Sequence, residues 1–500
     1  MASQLLAKKP ISTIMAEAAD TSEHSLKRSL GPINLVTLGI GAIIGTGIFT
    51  LTGVAAAQFA GPAVVLSFVI AGVGCVFAGL CYAEFAAMIP IAGSAYTYGY
   101  ATMGEIVAWI IGWALVLEYA FGAATVAVGW SGYVSSLLGF FGVKLPFNAT
   151  PAVSFSLFGH AMSAKIDIFA FAAIVIVTVI LVIGVRESAN VNSAAVMVKV
   201  SVVLIFIGLA ATYAFANWSH MLANWHPFIP KNLGQFGQFG WSGIMRGASL
   251  VFFAYIGFDA VSTAAQESRN PQKDMPFGIL GSLVICTILY ILVSGLLTGV
   301  KNYTTLNSPD PVAQGAAAIG VRWGIVAVDI GAIAGLASVM LVMLLGQSRI
   351  LYTMAHDGLL PKWIGKIHPR FRTPYLTSIA VGCFVAFLAA FFNIVFLGLL
   401  VSLGTLLAFT IVCLGVWIMR VKRPDIPRPF RAPWVPFVPI AGMAISLALM
   451  ITGTSAAKIA FGSWLVLGLI IYFAYSRKHS TVQMEIAAQS RTGQPRQPVK

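Results

Sequence analysis

One pattern repeats along the whole chain and limits its possible folds. Apolar stretches of about 20 residues, the length a helix needs to cross ~30 Å of hydrocarbon, recur from one end to the other. Twelve spans are expected, at 34–57, 62–88, 106–140, 166–184, 190–215, 242–265, 276–300, 321–352, 374–391, 394–418, 436–452 and 459–475. Only 9% of residues are charged and 58% are hydrophobic, so the chain has too little polar surface for a water-soluble fold. It is expected to be an all-α polytopic membrane protein of twelve transmembrane helices. The even number of spans puts both termini on one side. Residues 1–33 lack the apolar core of a signal peptide. They and residues 476–500 read as short, polar, unstructured cytoplasmic tails.

The formal net charge of +14 taken alone would suit a nucleic-acid binder. Its placement argues otherwise. With a cytoplasmic N-terminus, most of the 30 Lys and Arg fall in cytoplasmic tails and loops, notably "PKWIGKIHPRFR" (361–372) and "RVKRPDIPRPFR" (420–431). This is the positive-inside bias that fixes topology. The expected partner of the basic face is the anionic lipid of a cell membrane, with no nucleic acid. Cys75, Cys81, Cys286, Cys383 and Cys413 all lie within spans, so no disulfide framework is expected. Neither they nor the histidines show metal-ligand spacing. No nucleophile–base pair or phosphate loop suggests an enzyme, and no cofactor is expected. "GIGAIIG" has dinucleotide-like glycines but sits inside a span and follows no strand. The triplets at Asn148, Asn217 and Asn302 read as chance matches to the glycosylation signal.

Two spans look interrupted. The first contains "GIGAIIGTGIF", with Gly39, Gly41, Gly45 and Gly47 beside Thr46. One glycine pair can be a packing face; four, each weakening the helix by ~1 kcal/mol, argue for an unwound turn. The sixth contains "FFAYIGFDAVSTAAQE", where Gly257 precedes Asp259. A carboxylate within a span marks a cavity or site, or caps a half-helix that begins there. Spans one and six are five apart, so the breaks occupy equivalent places in an inverted five-plus-five repeat. That is the sequence pointer to a midplane transport site. Free N–H groups of Gly45, Thr46 and Gly47 suit a carboxylate. Free carbonyls at Ile43 and across Phe253, Ala254 and Ile256 suit an ammonium. Together they describe the head group of an α-amino acid.

The runs "LGIGAIIGTGIF", "CYAEFAAMIPIAGSAYTY" (81–98), "FFAYIGFDAVSTAAQESRNPQKDMPFGI" (252–279), "SRILYTMAHDGLLP" (348–361) and "RPDIPRPFRAPWVP" (423–436) resemble the amino acid–polyamine–organocation superfamily. The likeness is to its bacterial branch related to cationic amino acid transporters. It implies a leucine-transporter-type fold: a first repeat over 34–217, an inverted second over 240–418, and two peripheral helices over 436–475. It also implies an amino acid substrate, whose carboxylate meets Thr46 and Gly47 with Gly45 in the same turn. The amine meets carbonyls of Ile43, Phe253 and Ile256, and Met343 closes the side-chain pocket. A thioether there offers a guanidinium no partner and favours small neutral amino acids; most methionines in spans, however, are ordinary packing. A cationic substrate carried by uniport or exchange is the alternative within transport. A non-transporting membrane sensor is the alternative outside it, and whether a small single-span accessory subunit joins the chain is left open.

Sodium-coupled members of this fold hold an ion where the resemblance places Lys199. An ammonium there replaces sodium, and burial favours its neutral form. Lys199 is therefore expected to carry the proton in proton-coupled symport, or else to tie span five to carbonyls at the first break. It lies about 13.5 Å along the span from Asn190, too deep to snorkel. Glu118 is a second candidate proton-responsive group. Arg246 is expected to snorkel to the outer surface and Glu84 to pair with basic loop residues. Asp329 is expected in a polar interface. Arg349, Asp357 and the "RNP" turn at 269–271 are expected to make cytoplasmic gate or loop contacts.

Overall fold

The computed structural model describes residues 7–8, 30–89, 94–143, 153–157, 160–164, 166–184, 189–265, 268–369, 371 and 373–484. Among them, every expected apolar stretch is mostly helical. The main helices are α1 (Pro32–Ile43), α2 (Val64–Met88), α3 (Glu105–Phe140), α4 (Ile168–Ile183), α5 (Ala189–Ala216) and α6 (Gly240–Val251). They continue as α7 (Pro271–Val300), α8 (Arg322–His356), α9 (Tyr375–Phe391), α10 (Ile394–Lys422), α11 (Phe437–Thr452) and α12 (Ser455–Ile471). Among the described residues, seven helical stretches are long and apolar enough to cross a membrane by length and composition, and four shorter apolar helices accompany them.

Local chemistry sets many of the boundaries. Pro32 and Pro271 open α1 and α7, where a missing N–H costs nothing. Asp167 caps α4 by accepting from Ala170 N–H at 2.9 Å, and Gly184 ends it in the left-handed region. Asn393 caps α10 through Phe396 N–H at 2.8 Å.

Among the described residues the chain is all-helical apart from one short hairpin. Strands β1 (Val153–Leu157) and β2 (His160–Ala164) pair antiparallel, Val153 opposite Ala164. "VSFSL" alternates apolar and polar residues, the two-residue period of a strand, in a loop too polar to span.

The C-terminal tail departs from the expectation of an unstructured segment, because it is hydrogen-bonded into the fold as far as Gln483. A π-turn at Tyr472–Ser476 and a helical turn at Arg477–His479 lead to the buried Ser480. Ser480 Oγ and Gln483 Nε2 donate to Glu105, the latter at 2.7 Å, and Thr481 N–H donates to Asp357 O at 3.2 Å. Glu105 also collects the hydroxyls of Tyr100 and Tyr472, each at 2.9 Å. A polar tail looks solvated from composition, but here its hydroxyls and amides have a buried carboxylate to satisfy. Residues 485–500 and most of 1–33 lie outside the described residues.

Helix α3 packs along α8 and α10, α7 packs along α1 and α2, and α5 bridges α1, α7 and α8. These contacts enclose the interrupted segments that follow α1 and α6.

Candidate substrate-binding site

Helix α1 stops where the glycines predict. Ile44 turns to φ −71°, ψ 105°, with its N–H still on Ile40 O at 2.9 Å. Backbone bonding then resumes with Phe49 N–H on Gly45 O at 3.3 Å, leading into the π-turn Gly47–Leu51. The N–H groups of Gly45, Thr46 and Gly47 therefore head a new helical segment, where no carbonyl lies one turn back. Thr46 is fully buried, and its Oγ1 has no hydrogen-bond partner among the described residues. A buried hydroxyl left in that state needs a reason, and a ligand carboxylate at this turn supplies one.

The second break has a similar form. Helix α6 tightens into a 3₁₀ turn at Phe252–Tyr255, then leaves it as Ile256 adopts φ −60°, ψ 135°. Gly257 follows at φ +113°, a region open to glycine and strained for other residues. A Cβ on Gly257 would lie 2.7 Å from Ala42 O, and one on Gly47 would lie 2.3 Å from both Cα and Cβ of Ala254. The two breaks touch backbone to backbone, which only glycine permits at these positions.

The carbonyls expected to be free are largely engaged. Phe253 O accepts Ile256 N–H at 3.2 Å. The Tyr290 hydroxyl, fully buried on α7, sits 2.9 Å from Ile43 O and 2.7 Å from Ala254 O. One hydroxyl hydrogen thus serves two carbonyls, one from each break, and an ammonium with several donors would compete with it for them. Sequence reasoning missed Tyr290, since nothing in "TILYILVSG" marks it apart from other buried aromatics.

Glu118, Asp259 and Met343 come together, lining one small cavity with Tyr119, Ile256 and Val339. Its open core holds about one water. Glu118 Oε2 accepts from Thr405 Oγ1 at 2.8 Å, and Oε1 has no hydrogen-bond partner among the described residues. Asp259 directly precedes the turn Ala260–Thr263 but makes no side-chain capping bond to it. Asp259 is one of the residues lining the cavity. Met343 is packed against Gly122 of α3, where a Cβ would lie 3.2 Å from its Sδ.

Lys199 stands apart from that cavity. It is 1% exposed, and its Nζ donates to Gly41 O at 2.8 Å. In an unbroken helix that carbonyl would take the N–H of Gly45, so the break creates the acceptor the lysine uses. Other charges find partners elsewhere in the fold. Glu84 accepts from Arg420 Nε and Nη2, both at 2.7 Å, and from Ala432 N–H at 2.8 Å, with Arg428 Nε 3.3 Å away. Arg246 donates to Thr452 O at 3.2 Å with its guanidinium over Phe236. Asp329 accepts from Ser136 at 3.0 Å. Asp357 accepts the Tyr96 hydroxyl at 2.7 Å, and Arg269 N–H donates to Leu30 O at 2.9 Å beside a Leu30–Ser268 bridge.

A family model described as amino acid permease matches residues 30–475. The chain belongs to the amino acid permease family. Its relatives are transporters, not enzymes, and the permease is a multi-pass membrane protein. It is 44% identical to the branched-chain amino acid permease BcaP of Bacillus subtilis, over 96% of this chain and 99% of that protein. It is 42% identical to the methylthioribose transporter of Bacillus subtilis, again over 96% and 99%. It is 36% identical to human cationic amino acid transporter 4, over 81% of this chain and 62% of the human protein.

Proposed function

We propose that the permease is a proton-coupled symporter of small neutral and aliphatic L-amino acids in the cell membrane, working by alternating access. On this reading twelve helices cross the bilayer with both termini cytoplasmic. Residues 34–217 and 240–418 are the inverted repeats, 436–475 are peripheral, and the basic loops meet anionic lipid. The observation that carries the substrate head group is the contact between the two breaks. Buried, unpartnered Thr46 Oγ1 and the N–H groups of Gly45 to Gly47 lie on one side. The carbonyls of Ile43 and Ala254, one from each break, share the Tyr290 hydroxyl, and with those of Phe253 and Ile256 they are the proposed acceptors for the ammonium. The apolar cavity walls at Val339, Ile256 and Met343 suit an aliphatic side chain, as does the likeness to a protein named for branched-chain amino acids. Because the cavity is so small, substrate entry requires the helices around the breaks to separate.

Lys199 is the proposed proton carrier. Its ammonium holds the end of α1 through Gly41 O, and losing the proton weakens a charge-assisted bond to a neutral one. The protonation state is thereby linked to the position of α1. A thermal-shift panel of amino acids on purified protein identifies the substrate, since a ligand that binds only the folded state raises apparent stability. Proteoliposome uptake under an imposed pH gradient then tests coupling. Lys199→Gln should lose gradient-driven accumulation, and undiminished accumulation would remove Lys199 from the carrier role.

A second reading rests on Glu118 and Asp259, two carboxylates lining the side-chain cavity, and on the relatives named as cationic amino acid transporters. Both would suit a cationic substrate. Excess arginine competing with labelled alanine uptake separates the readings. Met343→Ser should let arginine compete where the unmodified permease does not.

A further inference from the structure

Gly335 lies on α8 where that helix faces α5. A Cβ placed on it would lie 2.7 Å from Lys199 Cγ, 3.3 Å from Cε and 3.4 Å from Cδ. Most of the lysine stem therefore lies across this one glycine before Nζ reaches Gly41 O at 2.8 Å. Other glycines around α5 do something different. A Cβ on Gly331, one turn earlier, would lie 2.1 Å from Val202 Cγ2, and one on Gly41 would lie 2.3 Å from Val196 Cγ2. Those two admit hydrocarbon packing; Gly335 admits the arm of an ion.

We infer that Gly335 is a positioning residue for Lys199. Its missing side chain is the slot through which the ammonium reaches the break in α1. A methyl at this position pushes the stem sideways and takes Nζ off Gly41 O. The charge of Lys199 then no longer acts on the turn proposed to hold substrate carboxylate. The functional consequence rests on the coupling role proposed for Lys199, whereas the slot itself is geometric.

The test compares Gly335→Ala, Gly331→Ala and Lys199→Gln in proteoliposomes, reading counterflow exchange without a gradient, accumulation under a pH gradient, and the pH profile of uptake. Gly335→Ala should retain exchange, lose accumulation down to the no-gradient level, and take on the flattened pH profile of Lys199→Gln. Gly331→Ala should lower thermal stability and keep the unmodified pH profile. Gly335→Ala is also made in a Lys199→Ala background, where no stem remains to obstruct the methyl. There it should cost no further melting temperature or exchange, even if Gly335→Ala alone fails to fold. An equal loss in both backgrounds, or an unmodified pH profile in Gly335→Ala, overturns the slot. If the unmodified permease shows no gradient-driven accumulation, the symport reading falls. The slot is then decided by the paired-background melting temperatures alone.

Discussion

Removing one oxygen atom tests the geometry of the two breaks. The Tyr290 ring is held by Phe68 and Tyr255, with centroids at 5.4 and 5.3 Å, so Tyr290→Phe should leave the packing in place. What it removes is the hydrogen serving Ile43 O and Ala254 O. A hydroxyl has one hydrogen, so the loss is that of a single buried bond, about 1–3 kcal/mol when an acceptor is left unsatisfied. The substrate-free variant should be less stable by that amount. The sign for substrate is opposite. An ammonium carries several donors and would otherwise compete with the hydroxyl for the same oxygens. In the variant it meets vacant carbonyls, so binding regains what the empty site lost. At about 1.4 kcal/mol per decade, affinity should rise roughly 5- to 150-fold. Thermal melting with and without the amino acid, together with equilibrium binding on purified protein, reads both effects. An empty variant as stable as the unmodified protein would refute the reasoning. So would weaker substrate binding, which would mean that the hydroxyl contacts the ligand directly.

Three further outcomes are expected. Gly47→Ala puts a methyl 2.3 Å from Ala254 Cα. It should cost about 1–3 kcal/mol of overpacking and abolish both uptake and the substrate-dependent thermal shift; retained uptake would mean that the breaks separate without cost. Gly257→Ala forces a Cβ at φ +113° and 2.7 Å from Ala42 O, and should destabilise by about 1–3 kcal/mol, read as a lowered melting temperature. Glu84→Ala leaves Arg428 its carbonyl bonds to Met419 at 3.0 Å and Arg423 at 2.8 Å, and the Arg420 side chain is 22% exposed. The loss should therefore sit near the low end for a broken buried pair, about 3 kcal/mol. Substrate affinity of the folded fraction should be unchanged, and a changed affinity would connect this cluster to the site.

What hydrocarbon solvent enforces was legible in the sequence. Apolar stretches of spanning length have few ways to satisfy their backbone except as helices, so their helical character is visible in composition. The breaks were legible for a related reason: Gly45, Gly47 and Gly257 withdraw the helix preference locally, wherever the rest of the chain lies. The burial of Lys199 and Glu118 could be expected because a charge deep in a spanning helix avoids lipid by facing the protein interior.

Which partner each group takes was settled by the tertiary structure alone. Tyr290, far along the chain from both breaks, bonds a carbonyl of each. Gly335 gives Lys199 its path, Thr405 meets Glu118, and Glu105 orders a tail that composition reads as solvated. Each of these is a contact between residues distant in sequence. A tyrosine, a glycine or a serine looks the same in the sequence whether it packs idly or completes a site, because its role depends on what another helix brings within about 3 Å.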